Sequence, residues 1–246
     1  LYMNPLNENS IFNIIFNKLG DIIIANLLFL VCSIPLVTIG PSLTALYHCT
    51  LRIVKGNNPG TVKTFFRAFK ENFRQSLIVW LGFLAILVVL ILNIRFLLSR
   101  NSSSGQMFLY LSMAVVAFAV IGALYIFPVI AAFSNTLKNL LRNAYIFAFM
   151  HFPSTIAIAV ISILPMYMTY QDLELLPLYA FCWFFFGFGL TAEINSYLFY
   201  RMFKPYLDSE DEPGADGREY EEAGPLKEIS AKESQIPENH SSGGQE

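Results

Sequence analysis

This sequence predicts an all-α fold, a polytopic membrane helical bundle of about five transmembrane helices with interfacial amphipathic helices between them. Three observations carry that prediction. Of 246 residues, 55% are hydrophobic and only 14% charged, where soluble domains carry about a quarter charged residues. Mean hydropathy is +0.52, and the apolar residues fall in long blocks rather than in the short runs of a soluble core. Lys and Arg, finally, gather in alternate connections between those blocks.

Crossing a hydrocarbon core of about 30 Å takes about 20 apolar residues in helical form. Five blocks reach or approach that length: 22–39, 76–98, 107–133, 154–170 and 176–197. Residues 1–21 precede them as an N-terminal segment. It has no basic region followed by a cleavage signal, and Lys18 and Asp21 stand just before the first block, which is therefore expected to remain as a span. Arg52, Lys55, Lys63, Arg67, Lys70 and Arg74 lie between blocks one and two, Lys138 and Arg142 between three and four, and Arg201 and Lys204 after five. The other side holds only Lys18, Arg95 and Arg100. The bias of basic residues toward the cytoplasm then puts the N-terminus outside and the C-terminus inside.

The inner connections carry helical patterns of their own. Leu43, Leu46, Tyr47, Leu51 and Val54 share one face, and "GNNPG", 56–60, reads as a turn. Thr61 is a candidate N-cap for "VKTFFRAFKENFR". There the apolar stripe reads Val62, Phe65, Phe66, Phe69 and Phe73, with Lys63, Arg67, Lys70 and Arg74 opposite. Aromatics against bases describe a helix lying on the lipid bilayer, drawn to anionic inner-leaflet lipids. Asn135 to Phe152 repeats the pattern.

"VTIGPSLTALYHC", 37–49, breaks the first block. Pro35 weakens the last turn of the span, Gly40 ends one helix and Pro41 opens another, giving a kinked span and a tight corner. Ser33 and Thr38 stand near enough to satisfy a freed carbonyl. The alternative is a broken helix, with the break running from Pro35 to Tyr47, whose free N-terminus at Ser42 to Thr44 faces an anionic group in a cavity. Intramembrane polar residues are the other route to a site. Asn26 reads as hydrogen-bonding glue between helices. Glu193, with Asn195, is solvated if the last span ends near Asn195 and buried if it runs to Tyr200. His48 and His151 read as structural.

No nucleotide-binding loop, zinc-protease or serine-hydrolase motif occurs, and no paired carboxylates share a span. No catalytic residue, metal or cofactor is predicted, and the chain is expected not to be an enzyme. Residues 207–246 hold twelve acidic against three basic residues and few aliphatics. They predict a disordered acidic cytoplasmic tail and no nucleic acid partner.

"ANLLFLVCSIPLVTIGPSLTALYHCTLRIVKG", 25–56, resembles the N-terminal signature of the YesL-like family of bacterial membrane proteins. "TFFRAFKENFRQS", 64–76, is similar to that family's aromatic and basic linker, and "EINSYLFYRMF", 193–203, to its closing stretch. Glu193 and the long tail depart from the pattern. The resemblance implies a five- or six-span protein of the bacterial cytoplasmic membrane, encoded near carbohydrate transport systems and without an established activity. Two main readings follow: an accessory or regulatory component of carbohydrate uptake, or a small-solute carrier using the break at 35–47 and Glu193. A membrane enzyme acting on lipid or glycan is a third.

Overall fold

The computed structural model describes residues 11–56, 60–99 and 103–207; the acidic tail lies outside them. The described residues form helices and no strand. The helices are α1 (Ile11–Cys32), α2 (Ile39–Lys55), α3 (Thr61–Ser99), α4 (Ser103–Ala132), α5 (Leu137–Met150), α6 (Phe152–Gln171), α7 (Leu176–Cys182) and α8 (Phe188–Leu207). A π-helical turn, Trp183–Gly187, joins α7 to α8. Among the described residues four stretches are long and apolar enough to cross a membrane: Thr61–Phe96, Met107–Ala132, Phe152–Gln171 and Leu176–Leu207. The fold is an all-α membrane helical bundle.

The first apolar block is not one helix. α1 already begins at Ile11, inside the expected N-terminal segment, and stops at Cys32. Pro35 lacks the amide that would continue it and sits in extended backbone (φ −72°, ψ 115°). The Thr38 hydroxyl then closes the corner, reaching the carbonyl oxygens of Cys32 at 2.6 Å and Pro35 at 2.7 Å. Trp80 Nε1 donates to the Leu36 carbonyl at 2.8 Å, pinning the corner to α3.

Gly40 does not end a helix; it lies in the first turn of α2, with Pro41 beside it where no amide is required. A Cβ at Gly40 would stand 2.5 Å from Trp80 Cβ and 2.8 Å from the Ser76 carbonyl oxygen, so its missing side chain is what lets α2 and α3 touch. α2 ends at Gly56, whose φ of 77° is the left-handed conformation glycine adopts without strain.

α3 unites two predicted pieces. The amphipathic segment and the second span form a single helix of 39 residues, about 58 Å long. No Gly or Pro interrupts it before Gly82. The face it turns to the protein is not the apolar stripe that was expected to lie on lipid. Thr61, Thr64, Phe65, Ala68, Ser76 and Val79 are buried, while Val62 and Phe66 stand about half exposed. Small residues let helices approach closely, and here they win over the larger apolar ones.

Directions follow from the hydrogen bonds. Thr61 Oγ1 donates to Asp21 at 2.5 Å, and Trp80 reaches Leu36, so α1 and the first half of α3 run side by side in the same direction. Consecutive spans, as predicted for 22–39 and 76–98, would run in opposite directions. α1 and α2 instead make a hairpin closed at 33–38. α3 and α4 are antiparallel, with Trp80 against Phe127 and Asn93 bonded to Ser112.

The core gathers where α2, α4, α5 and α8 converge. Phe203 packs against Phe133, Phe147 and Phe199, with centroids 5.1, 5.0 and 5.6 Å away, and Tyr125 meets Phe199 at 5.2 Å. The far halves of α3 and α4, by contrast, expose Val88, Val89, Leu92, Phe108 and Leu111. Exposed apolar rows of this kind suit lipid, not water.

Candidate functional site

One ridge of α2 explains where the site lies. Gly40, Thr44, His48 and Arg52 follow each other at four-residue spacing and therefore share a face. Gly40 touches α3 directly. One turn on, Thr44 Oγ1 and Ser76 Oγ share a hydrogen bond of 2.8 Å. The ridge then changes to large polar side chains, and the groove between α2 and α3 widens. Arg67, Glu71 and Gln75 answer from α3, again at four-residue spacing.

The result is a cup of about 920 Å³. α2 contributes His48 and Arg52, α3 contributes Arg67, Glu71, Asn72 and Gln75, and the end of α4 with its link to α5 contributes 130–136. Two bonds fix that link. His48 Nδ1 lies 2.9 Å from the Ala131 carbonyl oxygen, and Gln75 Nε2 donates to the Asn135 carbonyl at 3.1 Å. A helix end leaves its last carbonyls without intrahelical donors, and His48 supplies one from outside.

That bond also fixes the imidazole. A carbonyl oxygen only accepts, so the neutral ring carries its proton on Nδ1 and presents a bare lone pair at Nε2. Nε2 is buried and has no hydrogen-bonding partner. Burial holds His48 below the ordinary histidine pKa, and the Arg52 and Arg67 charges push it further down. The Ala131 carbonyl and Glu71 oppose this. Arg52 is likewise lowered, by burial first and then by Arg67. The two guanidiniums thus repel one another. Glu71 gives Arg67 one long contact, Nε to Oε1 at 3.9 Å.

The other predicted residues are placed elsewhere. Lys63, Lys70 and Arg74 point away from the core and are exposed; only Arg67 of that set reaches the cup. Pro35 belongs to the corner, and Pro41 is buried in α2. Tyr47 is buried, edge-on to Phe199, and its hydroxyl accepts from Asn195 Nδ2 at 3.4 Å. Asn195 also donates to Ser162 at 2.9 Å, and Thr50 pairs with Ser196 at 2.7 Å. Glu193, on α8, is packed within the protein: it is 5% exposed, and its Oε2 has no hydrogen-bonding partner.

Asn26 bridges α1 to the π turn. Its Nδ2 donates to the carbonyls of Phe184 at 2.7 Å and Trp183 at 3.2 Å, and its Oδ1 accepts from the Gly189 amide at 2.8 Å. A π turn leaves backbone groups without their usual partners, and a fully buried asparagine supplies both a donor and an acceptor. Among the described residues no three His, Cys, Asp or Glu side chains come together as a metal cluster.

Sequence reasoning had not assembled the cup. Its signal was the pair of four-residue polar series, 48/52 and 67/71/75, on helices flanking a turn. A family model described as "Protein of unknown function, DUF624" matches residues 22–94. The match covers under a third of the chain and includes the α2 and α3 walls of the cup, but not 130–136. No curated protein and no solved structure matches the chain.

Proposed function

We propose that this chain is an accessory integral membrane protein, a binding component rather than an enzyme, working beside a carbohydrate uptake system in a bacterial cytoplasmic membrane. One observation carries the binding role: a polar cup of about 920 Å³ at the basic end of the bundle. Arg52, Lys55, Lys63, Arg67, Lys70 and Arg74 surround that end, which supports its facing the cytoplasm. The polar residues deeper in the helices, Asn26, Thr44, Ser76, Thr50 and Ser196, are occupied in holding helices together. The carbohydrate link rests on the YesL-like resemblance of 25–56.

The test is affinity capture from gently solubilised native membranes, with reconstitution of the purified chain in parallel. The accessory reading expects permease subunits in the captured fraction and no sugar flux from the chain alone. Sugar flux in liposomes holding only this chain would sink it.

A carrier is the second reading, and Glu193 is the observation favouring it. A buried carboxylate oxygen without a hydrogen-bonding partner suits a coupling site. Under that reading Glu193→Gln abolishes the flux.

A further inference from the structure

We propose that the cup binds a phosphate ester, gripped between Arg52 and Arg67, with His48 accepting a hydrogen bond from the phosphate hydroxyl. The inference rests on the cup being the recognition site of the accessory reading, and it names what is recognised.

Charge is the first argument. The lining holds two guanidiniums and a single carboxylate, Glu71. Arg52 and Arg67 project from facing helices and act on each other unfavourably. Glu71 does not resolve this, because its one contact with Arg67 is long and both side chains are about half exposed. A paired Arg and carboxylate normally meet through two parallel, shorter bonds. Both guanidinium forks therefore remain open to a ligand. An anion placed between them removes the repulsion and gains bonds from both, and phosphate suits planar forks better than a simple halide does.

Hydrogen-bond inventory is the second argument. His48 Nε2 is a buried acceptor without a donor, which a singly protonated phosphate supplies through its P–O–H. Asn72 and Gln75 each spend one amide proton within the protein, on Ala68 at 3.0 Å and Asn135 at 3.1 Å. Each has a second proton for a phosphate oxygen. The set of guanidiniums, amide donors and one acceptor matches a monoester, which has several acceptor oxygens and one hydroxyl.

Size is the third. The cup, at about 920 Å³, falls within the range of small-molecule sites and far exceeds a bare phosphate. The ligand therefore carries an organic body as well. A soluble sugar or glycerol phosphate and the headgroup of an acidic phospholipid share this chemistry, and basic pockets between membrane helices suit either.

The experiment is calorimetric titration of the full-length protein in a sugar-based detergent. The probes are sn-glycerol 3-phosphate, dihexanoyl phosphatidic acid, and glycerol as the neutral control. At least one phosphate probe is expected to bind saturably, and glycerol not at all. Arg52→Gln and Arg67→Gln should each weaken binding by about tenfold to a hundredfold, while Lys63→Gln, outside the cup, leaves it unchanged. Arg67 is half exposed, so Arg67→Gln remains informative if Arg52→Gln fails to fold. Binding of phosphatidic acid alone assigns the cup to lipid headgroups; binding of glycerol phosphate assigns it to soluble esters. Failure of both probes to bind, or binding undiminished in both Arg variants, overturns the proposal. Either failure leaves the capture of permease subunits free to succeed, so the two readings fall separately.

Discussion

Replacing Asn26 by Ala tests whether the π turn depends on a side chain from another helix. The substitution removes two donated bonds, to Phe184 and Trp183, and one accepted from Gly189. Side-chain hydrogen bonds between membrane helices contribute about 0.6 to 2 kcal/mol each. Three of them, with the Gly189 amide left buried without a partner, give a loss of about 2 to 5 kcal/mol. Reversible unfolding in mixed micelles of rising dodecyl sulfate fraction measures it. Asn26→Asp separates bonding from packing, since it keeps the shape but points an oxygen at two carbonyls. It should cost at least as much as Asn26→Ala at neutral pH. A loss below about 0.6 kcal/mol for Asn26→Ala, the value of a single average bond, would refute the reasoning. So would an Asn26→Asp variant as stable as the parent.

Three further outcomes are expected. Gly40→Ala forces a Cβ to within 2.5 Å of Trp80 and 2.8 Å of the Ser76 carbonyl, and should destabilise by about 1 to 3 kcal/mol in the same unfolding assay. With the native cysteines replaced, Asn17→Cys and Lys204→Cys should react with an impermeant maleimide from the same side of sealed vesicles, and Gln171→Cys from the other. Asn17→Cys reacting with Gln171→Cys would contradict the shared direction of α1 and α3. The third concerns pH. His48 titrates lower in the fold than the ordinary value of about 6.5. Above that value both states are neutral there; below it the unfolded chain takes up a proton that the fold resists. Stability therefore falls as pH drops from about 6.5 toward the lowered folded value, and His48→Gln should flatten that decline.

Helix content and the long apolar stretches were legible because length and hydropathy carry them directly. The weakening of the helix at Pro35 was legible too, because proline's missing amide acts locally, although the corner itself was expected at Gly40 and Pro41. What escaped the sequence depended on partners far along the chain. Gly40 reads as a helix terminator from its neighbours, and only Trp80, forty residues on, makes it a contact point. The aromatic stripe of α3 was read as facing lipid, whereas the face packed on the neighbouring helices, with Thr64, Ala68 and Ser76, has no pattern of its own in hydropathy. The π turn at Trp183–Gly187 lies in an aromatic run without a local signal, and its stabilising group, Asn26, sits more than 150 positions away. The shared direction of α1 and α3 depends on contacts with Thr61 and Trp80, which hydropathy does not carry.

The unbroken course of α3 has a mechanical consequence. A hydrocarbon layer is about 30 Å thick, and the helix is nearly twice that length, so the part bearing Arg67, Glu71 and Gln75 and the part facing lipid form one stiff lever. Asn93 lies about 27 Å beyond Gln75 along its axis. A tilt of about 5° with its pivot at the cup would sweep Asn93 sideways by about 2 Å. Gly82 is the one glycine along the way and no proline breaks the helix, so whatever draws Arg67 toward Arg52 is carried along the axis toward Asn93.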